Sequence, residues 1–226
     1  MAVYIFERIE IIKGGRGKFI DLVRRRWAPQ NEAKHGVHLA GLWATAGSTA
    51  DWPEANVMWE YRDWTHFAEA SQAQYPREDK DPYLNELWRQ ALDWRSGGVS
   101  DLLVPSSFSP DREERQTRGI GGPLVQVERV KTKKGKMSEY HAAIESELVP
   151  LAESRGMQLM GAYRHAIRPN EGLNLWFLSS WDQARDIWES DLTDPEVARW
   201  RQRSGDLLEN IRGHIIVTPP EGALRT

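Results

Sequence analysis

The chain has 226 residues, 40% hydrophobic and 28% charged, with eleven tryptophans, no cysteine and a formal net charge of −3. This is the composition of a globular protein of one or two domains. It lacks the basic field that would draw a phosphate backbone or an anionic membrane surface, and without cysteine it has no disulfide, thiolate nucleophile or cysteine-type zinc site.

No apolar run approaches the roughly 18 residues that span a bilayer, and the opening "MAVYIFERIE" lacks a basic segment followed by a long apolar one. The expectation is a cytoplasmic protein without nucleic-acid or membrane partners.

In chain order, residues 3–11 are β-rich. Residues 19–27 then place Phe19, Leu22, Val23 and Trp27 at helical spacing, the mark of one buried face. Pro29 falls late in that helix, where proline is costly, so a kink or restart is expected there. Gly36 supplies a stop, and residues 37–45 a second strand with Leu39, Gly41, Trp43 and Thr45 on one face. The run "NVMWEYRDW" at 56–64 is a third strand. Asp63 or Thr65 caps a helix over 66–75, Asp81-Pro82 starts another, and "LLVP" at 102 closes on a strand. The polar stretch 106–122 reads as a linker.

From residue 124 the same order returns. "VERVKT" at 127 answers "FERIEI" at 6, "GKM" at 135 answers "GKF" at 17, and Pro150 answers Pro29. "RGMQLMGAY" at 155 answers "HGVHLAGLW" at 35, Trp176 and Trp181 answer Trp59 and Trp64, and "DPEVARWR" answers "DPYLNELWR". A helical face of Tyr140, Ala143, Ile144, Leu148 and Leu151, caps at Asp182 and Asp194, and a closing "IIVTP" at 215 complete the second copy. The reading is α+β: two tandem ferredoxin-like β-α-β-β-α-β domains. Their boundaries are 1–105 and 123–220, with a linker at 106–122 and a tail at 221–226. A four-stranded sheet with helices on one face leaves the other bare, so the two sheets are expected to pack face to face as a barrel-like pseudo-dimer.

"VMWEYRDW" before an alanine-rich helix, the "GLW" strand end, the early "ER" with "GK" beyond it, and the helix proline resemble the NIPSNAP proteins of the dimeric α/β-barrel superfamily. The resemblance spans both halves and is stronger in the first, since "NLWFLSSW" lacks the Glu60-Tyr61 pair. It implies the fold and the tandem arrangement. The wider superfamily includes cofactor-free cyclases and monooxygenases, isomerases and heme enzymes, and fold alone does not choose among them.

The mid-strand pairs Glu7-Arg8 and Glu128-Arg129 have no obvious exit to water, so each charge is paired or used. The structural alternative is an ion pair or solvation at a strand end. The functional one sets Arg8, on a face with Tyr4 and Phe6, and Arg129 to hold or polarise a carbonyl ligand. Tyr163 and His165 combine a phenol and an imidazole at i, i+2, suited to proton transfer. Trp27, Trp43, Trp59 and Trp176 are candidate pocket walls, with plain core packing as the alternative for each.

His66, His141 and His214 read as packing or surface residues, with His214 and His165, on or near strands, the better candidates for a heme ligand; "HGVH" is broken by Gly36 as a metal motif, so no metal site is expected. The glycine runs "GGRG" and "GIGG" follow no nucleotide-binding pattern. The leading expectation is a cofactor-independent enzyme, an isomerase, cyclase or lyase, acting on an aromatic or polycyclic carbonyl compound, with His165 and Tyr163 moving protons. Its alternatives are a carrier or sensor without chemistry and a heme protein with a histidine ligand. A homodimer is expected.

Overall fold

The computed structural model describes residues 1–50, 52–74 and 82–219, so the helix start expected at Asp81 and the tail at 221–226 lie outside the described residues. The chain divides into two compact units, one of Met1–Leu102 with a C-terminal piece from Thr218, the other of Leu103–Val217.

In the first unit, β1 (Val3–Ile11) pairs antiparallel with β3 (Glu54–Tyr61), and β3 with β2 (His38–Thr45). β4 (Arg95–Pro105), which belongs to this unit as far as Leu102, follows the other edge of β1, where Ser96 and Ser100 reach Glu10 and Glu7. The strand begins earlier than the apolar "LLVP" suggested, because the polar run before it is held by these edge contacts. The helices are α1 (Arg16–Leu22), α2 (Ala28–His35), α3 (Trp64–Gln74) and α4 (Pro82–Ala91).

The expected helix over 19–27 and its proline resolve into one continuous path. α1 runs into a π-turn over Val23–Trp27, and Pro29 sits in the first turn of α2. A π-turn inserts an extra residue into the helical spiral, so the ladder is already interrupted where proline has no N–H to offer. Gly36 ends α2 at φ +65°, its N–H bonded to the Glu32 carbonyl at 2.9 Å. Asp63 caps α3 by accepting the His66 N–H at 2.8 Å, as the sequence suggested.

The second unit runs through the same order. Strands β5 (Leu124–Thr132), β6 (Gln158–His165), β7 (Glu171–Leu178) and β8 (Leu208–Val217) lie in the order β8-β5-β7-β6, all antiparallel. α6 (Met137–Ala143) passes through a π-turn at Ile144–Leu148 into α7 (Val149–Glu153), with Pro150 placed as Pro29 is, followed by α8 (Trp181–Ser190) and α9 (Pro195–Leu207). Asp194 caps α9, but Asp182 does not cap α8. Ser180 does, accepting the Gln183 N–H at 3.1 Å, because its extended backbone points the hydroxyl into the first turn.

The stretch expected as an open linker contains α5 (Arg112–Thr117), closed by a capping box in which Asp111 and Glu114 each accept the other's backbone N–H. "DREE" is the signature of such a box.

A bulge shifts the register between Leu39 and Gly41, and an identical one falls between Leu159 and Gly161. The extra residue turns Leu39 and Leu159 onto the faces of Trp59 and Trp176, opposite to the face of Gly41, Trp43 and Thr45 and that of Gly161, Tyr163 and His165. The expectation of a single four-residue face is corrected on this ground. Nor does either glycine leave room for a ligand or a helix. A β-carbon on Gly41 would meet the Trp43 ring at 1.7 Å, and one on Gly161 the Tyr163 hydroxyl at 2.3 Å, so each glycine is covered by the aromatic two residues on.

Candidate functional site

Residues directly opposite in an antiparallel pair share a face, so the register sorts every strand side chain. In the first unit Val3, Ile5, Glu7 and Ile9 lie with Tyr61, Trp59, Val57 and Ala55, and this is the face the helices cover. Tyr4, Phe6 and Arg8 lie opposite Glu60, Met58 and Asn56 on the other face. Glu7 and Arg8 therefore part company, one under the helices and one away from them.

Glu7 reaches into a cavity of ≈ 260 Å³ between sheet and helices. Its walls are Trp27, Trp59, Trp88, Tyr61 and Phe67, with Asn31, Ser71 and Gln74 as the polar groups. The Trp27 ring lies 5.4 Å from Trp59 and 5.5 Å from Trp88, a continuous aromatic wall. Glu7 accepts hydrogen bonds from Trp59 Nε1 at 2.9 Å and Ser100 Oγ at 3.4 Å. Burial pushes its carboxyl above the ordinary glutamate value, an effect the bonds from Trp59 and Ser100 and the charge of Arg95 offset only in part. Asn31 is buried, and its Oδ1 accepts from Gln74 Nε2 at 3.1 Å, so the N–H₂ end is what this amide can offer the cavity.

The second unit has a matching cavity of ≈ 260 Å³ in which Glu128, Trp176 and Trp200 stand where Glu7, Trp59 and Trp88 do. Glu128 accepts from Gln126 Nε2 at 3.0 Å and from Asn174 Nδ2 and Trp176 Nε1, each at 3.2 Å. Asn174 also donates to the Tyr140 hydroxyl at 2.9 Å, and burial first, then the charge of Glu128, pushes that phenol's pKa up.

Of the residues expected to form one site, the structure brings Trp27 and Trp59 together around Glu7, and puts Trp176 beside Glu128. Tyr4, Phe6, Arg8 and Trp43 are on the first unit's opposite face. There Arg8 lies 3.7 Å from Glu54, whose carboxylate accepts from Thr45, while Asn56 donates to Thr45. On that face Arg8 is therefore used in an ion pair. Arg129 lies with Val125 and Val127 on the second unit's opposite face, across from Leu173 and Arg212.

Tyr163 and His165 share that face and are both buried, but the imidazole is committed locally. His165 Nδ1 accepts the backbone N–H groups of Ile167 at 3.1 Å and Arg168 at 3.0 Å. His66 is likewise used twice, Nδ1 accepting from the Arg62 N–H at 3.0 Å and Nε2 donating to the His35 carbonyl at 2.6 Å. His141, facing Phe108, has its pKa lowered to about 4 by burial and by Arg164. Among the described residues no group of three His, Asp or Glu side chains is arranged to hold a metal ion, and no helix is long and apolar enough to cross a membrane.

Glu7 as the centre of a cavity, with Asn31 and Trp88 beside it, was not read from the sequence. The signal was present, since Glu7 alternates with Ile5 and Ile9 and recurs as Glu128, but nothing in one strand says which face the helices take.

No family model and no curated protein matches the sequence. Solved structures do. A candidate monooxygenase from Lactobacillus acidophilus NCFM superposes with a TM-score of 0.63 at 12% identity, over 96% of this chain and 93% of that one. A chlorite dismutase mutant from Candidatus Nitrospira defluvii superposes at 0.57 and 9% identity, over 99% and 93%. A NIPSNAP family protein from Agrobacterium tumefaciens str. C58 matches 50% of this chain and 100% of its own at 0.41 and 19% identity. At these identities the likeness is one of fold: the chain is a mixed α/β protein whose fold is similar to those of these solved structures.

Proposed function

We propose that the protein is a cofactor-independent small-molecule enzyme, a NIPSNAP-like tandem of ferredoxin-like units, which moves protons on an aromatic or polycyclic carbonyl compound in the cavity of the first unit. The observation that carries this reading is Glu7, a carboxyl raised above its ordinary pKa by burial and held by an indole N–H against a wall of three tryptophans. A base with a raised pKa is better matched to work near neutral pH than a solvated carboxylate.

The chemistry follows from the donor set. The Glu7 carboxylate takes a proton from the carbon beside the substrate carbonyl, and the electron pair moves onto the carbonyl oxygen. The Asn31 N–H₂ donates to that oxygen as its charge grows. Where the substrate has a β,γ double bond the anion is a dienolate, and the Glu7 carboxylic acid returns the proton to its γ-carbon, giving an isomerisation with no net change in composition. The same first step opens elimination or cyclisation where the substrate carries a leaving group or an internal electrophile. Trp27, Trp59 and Trp88 supply the flat apolar surface on which a ring system lies.

The test begins with native mass spectrometry and an absorption spectrum of purified protein. A Soret band would replace this reading with a heme protein, and a tightly retained organic molecule without product would replace it with a carrier. Aromatic ketones are then incubated in D₂O and their exchange at the α-carbon followed by NMR. Loss of exchange by at least about a hundredfold in Glu7→Gln, with His165→Ala close to wild type, is the expected result. Unchanged exchange in Glu7→Gln, or its loss in a folded His165→Ala, moves the chemistry to the opposite face.

A further inference from the structure

The two cavities share a glutamate and a tryptophan wall, but they differ in one charge. In the first unit the guanidinium of Arg95 lies 3.9 Å over the ring of Trp88, and its charge acts on Glu7. Arg95 does not line the cavity itself, but it sets a positive charge against two of its walls, Trp88 and Glu7. Arg95 opens β4, and the residue opening β8 in the second unit is Leu208. Among the described residues no guanidinium or ammonium lies over Trp200.

Glu128 is correspondingly left with neutral donors alone. Gln126, Asn174 and Trp176 bind its two oxygens, and no cation forms an ion pair with it among the described residues. The cations in the wall are already matched: Arg155 is bound by Asp191 and Asp194, and Arg201 lies against Asp191 and donates to its carbonyl at 2.8 Å. The rest of the lining is apolar, chiefly Leu148, Leu151, Met157, Ile187 and Val197. A partly buried carboxylate with no counter-charge, beside an aromatic face with no cation on it, calls for a positive group from outside.

We infer that the second unit's cavity is a binding site for a hydrophobic organic monocation, an aryl- or alkyl-ammonium whose charged head occupies beside Glu128 and Trp200 the place that Arg95 takes beside Glu7 and Trp88. The apolar body of the ligand lies along Leu148, Leu151, Met157, Ile187 and Val197. Because Arg95 already sets a charge beside Glu7 and Trp88, the two cavities select different ligands, and this site stands whether or not Glu7 is a base.

The experiment titrates the full chain with 2-phenylethylammonium and, in parallel, with the neutral 3-phenylpropan-1-ol, by isothermal calorimetry at low salt. The ammonium is expected to bind at least tenfold tighter than the alcohol. Glu128→Gln is expected to lose that preference, and Leu208→Arg, which supplies the missing guanidinium, to block ammonium binding by at least tenfold. Glu7→Gln should bind the probe as wild type does. Circular dichroism melts confirm that each variant is folded, and Leu208→Arg keeps the test decisive if Glu128→Gln is not. Equal affinity for the two probes, unchanged binding in Leu208→Arg, or loss of binding in Glu7→Gln would overturn the inference.

Discussion

The indole N–H of Trp59 donates to the carboxyl of Glu7 across the β1–β3 pair at 2.9 Å, and Trp176 makes the same bond to Glu128 at 3.2 Å. The bond works against burial, since it favours the charged form of Glu7. Trp59→Phe keeps the ring and removes the donor, so the Glu7 pKa should rise further. The acid limb of the pH–rate profile should move to higher pH, which a profile of wild type and variant reads directly.

Stability gives an independent view of the same group. The folded-state pKa of Glu7 is raised above the ordinary 4.5, so the native state holds this proton more tightly than the unfolded chain. Its contribution to stability is fully present below the unfolded value and is lost as pH rises through the folded one. Glu7→Gln removes that dependence. The variant should gain stability relative to wild type as pH is raised from about 4.5 towards neutral, seen in urea unfolding at several pH values.

For His165 the expectation is structural. Its Nδ1 holds two backbone N–H groups of the turn after β6, so His165→Ala should lower the melting temperature, and His165→Asn, whose Oδ1 can accept in the same place, should recover much of the loss. Removing a buried acceptor costs about 1–3 kcal/mol. Equal melting temperatures for the two variants would remove this role.

Gly41→Ala forces a β-carbon into the Trp43 ring, an overpacking that costs about 1–3 kcal/mol, where each kcal/mol is worth roughly 2–4 °C in Tm for a chain of this size. Gly213→Ala, whose β-carbon has its nearest neighbour at 3.8 Å, is the matched control and should melt near wild type. Thermal unfolding of the two separates a steric requirement at Gly41 from a general dislike of strand substitutions.

Glu54→Ala leaves the Arg8 guanidinium without its carboxylate, and Thr45 without an acceptor. Arg8 keeps 27% exposure of its side chain, so the loss should fall at the lower end of the roughly 3–5 kcal/mol seen for a broken buried pair. Denaturant titration of Glu54→Ala against Glu54→Gln measures it.

Much of the local structure was legible because it rests on neighbours in sequence. The alternation of β1, the helix stop at Gly36, the caps at Asp63 and Asp194, and the interruption announced by Pro29 and Pro150 all follow from residues within a turn of one another. The recurrence of "ER", "GK", helix proline and paired tryptophans carried the repeated order of elements for the same reason. Ser180 replaced Asp182 as a cap because two polar residues competed within one turn, and backbone direction decided between them.

What only the tertiary structure decided is which side of each strand the chemistry faces. A period of two places Glu7 and Arg8 on opposite faces but cannot say which one the helices cover, and one bulge at residue 40 reverses the faces on either side of it. The aromatic lining shows the same limit: Trp27, Trp59 and Trp88 come from a π-turn, a strand and a helix far apart in sequence, and their meeting around one carboxyl depends on long-range packing. Sequence determined that a carboxylate and two tryptophans would recur in each half. Burial, which is a property of the folded surroundings, determined what those groups can do.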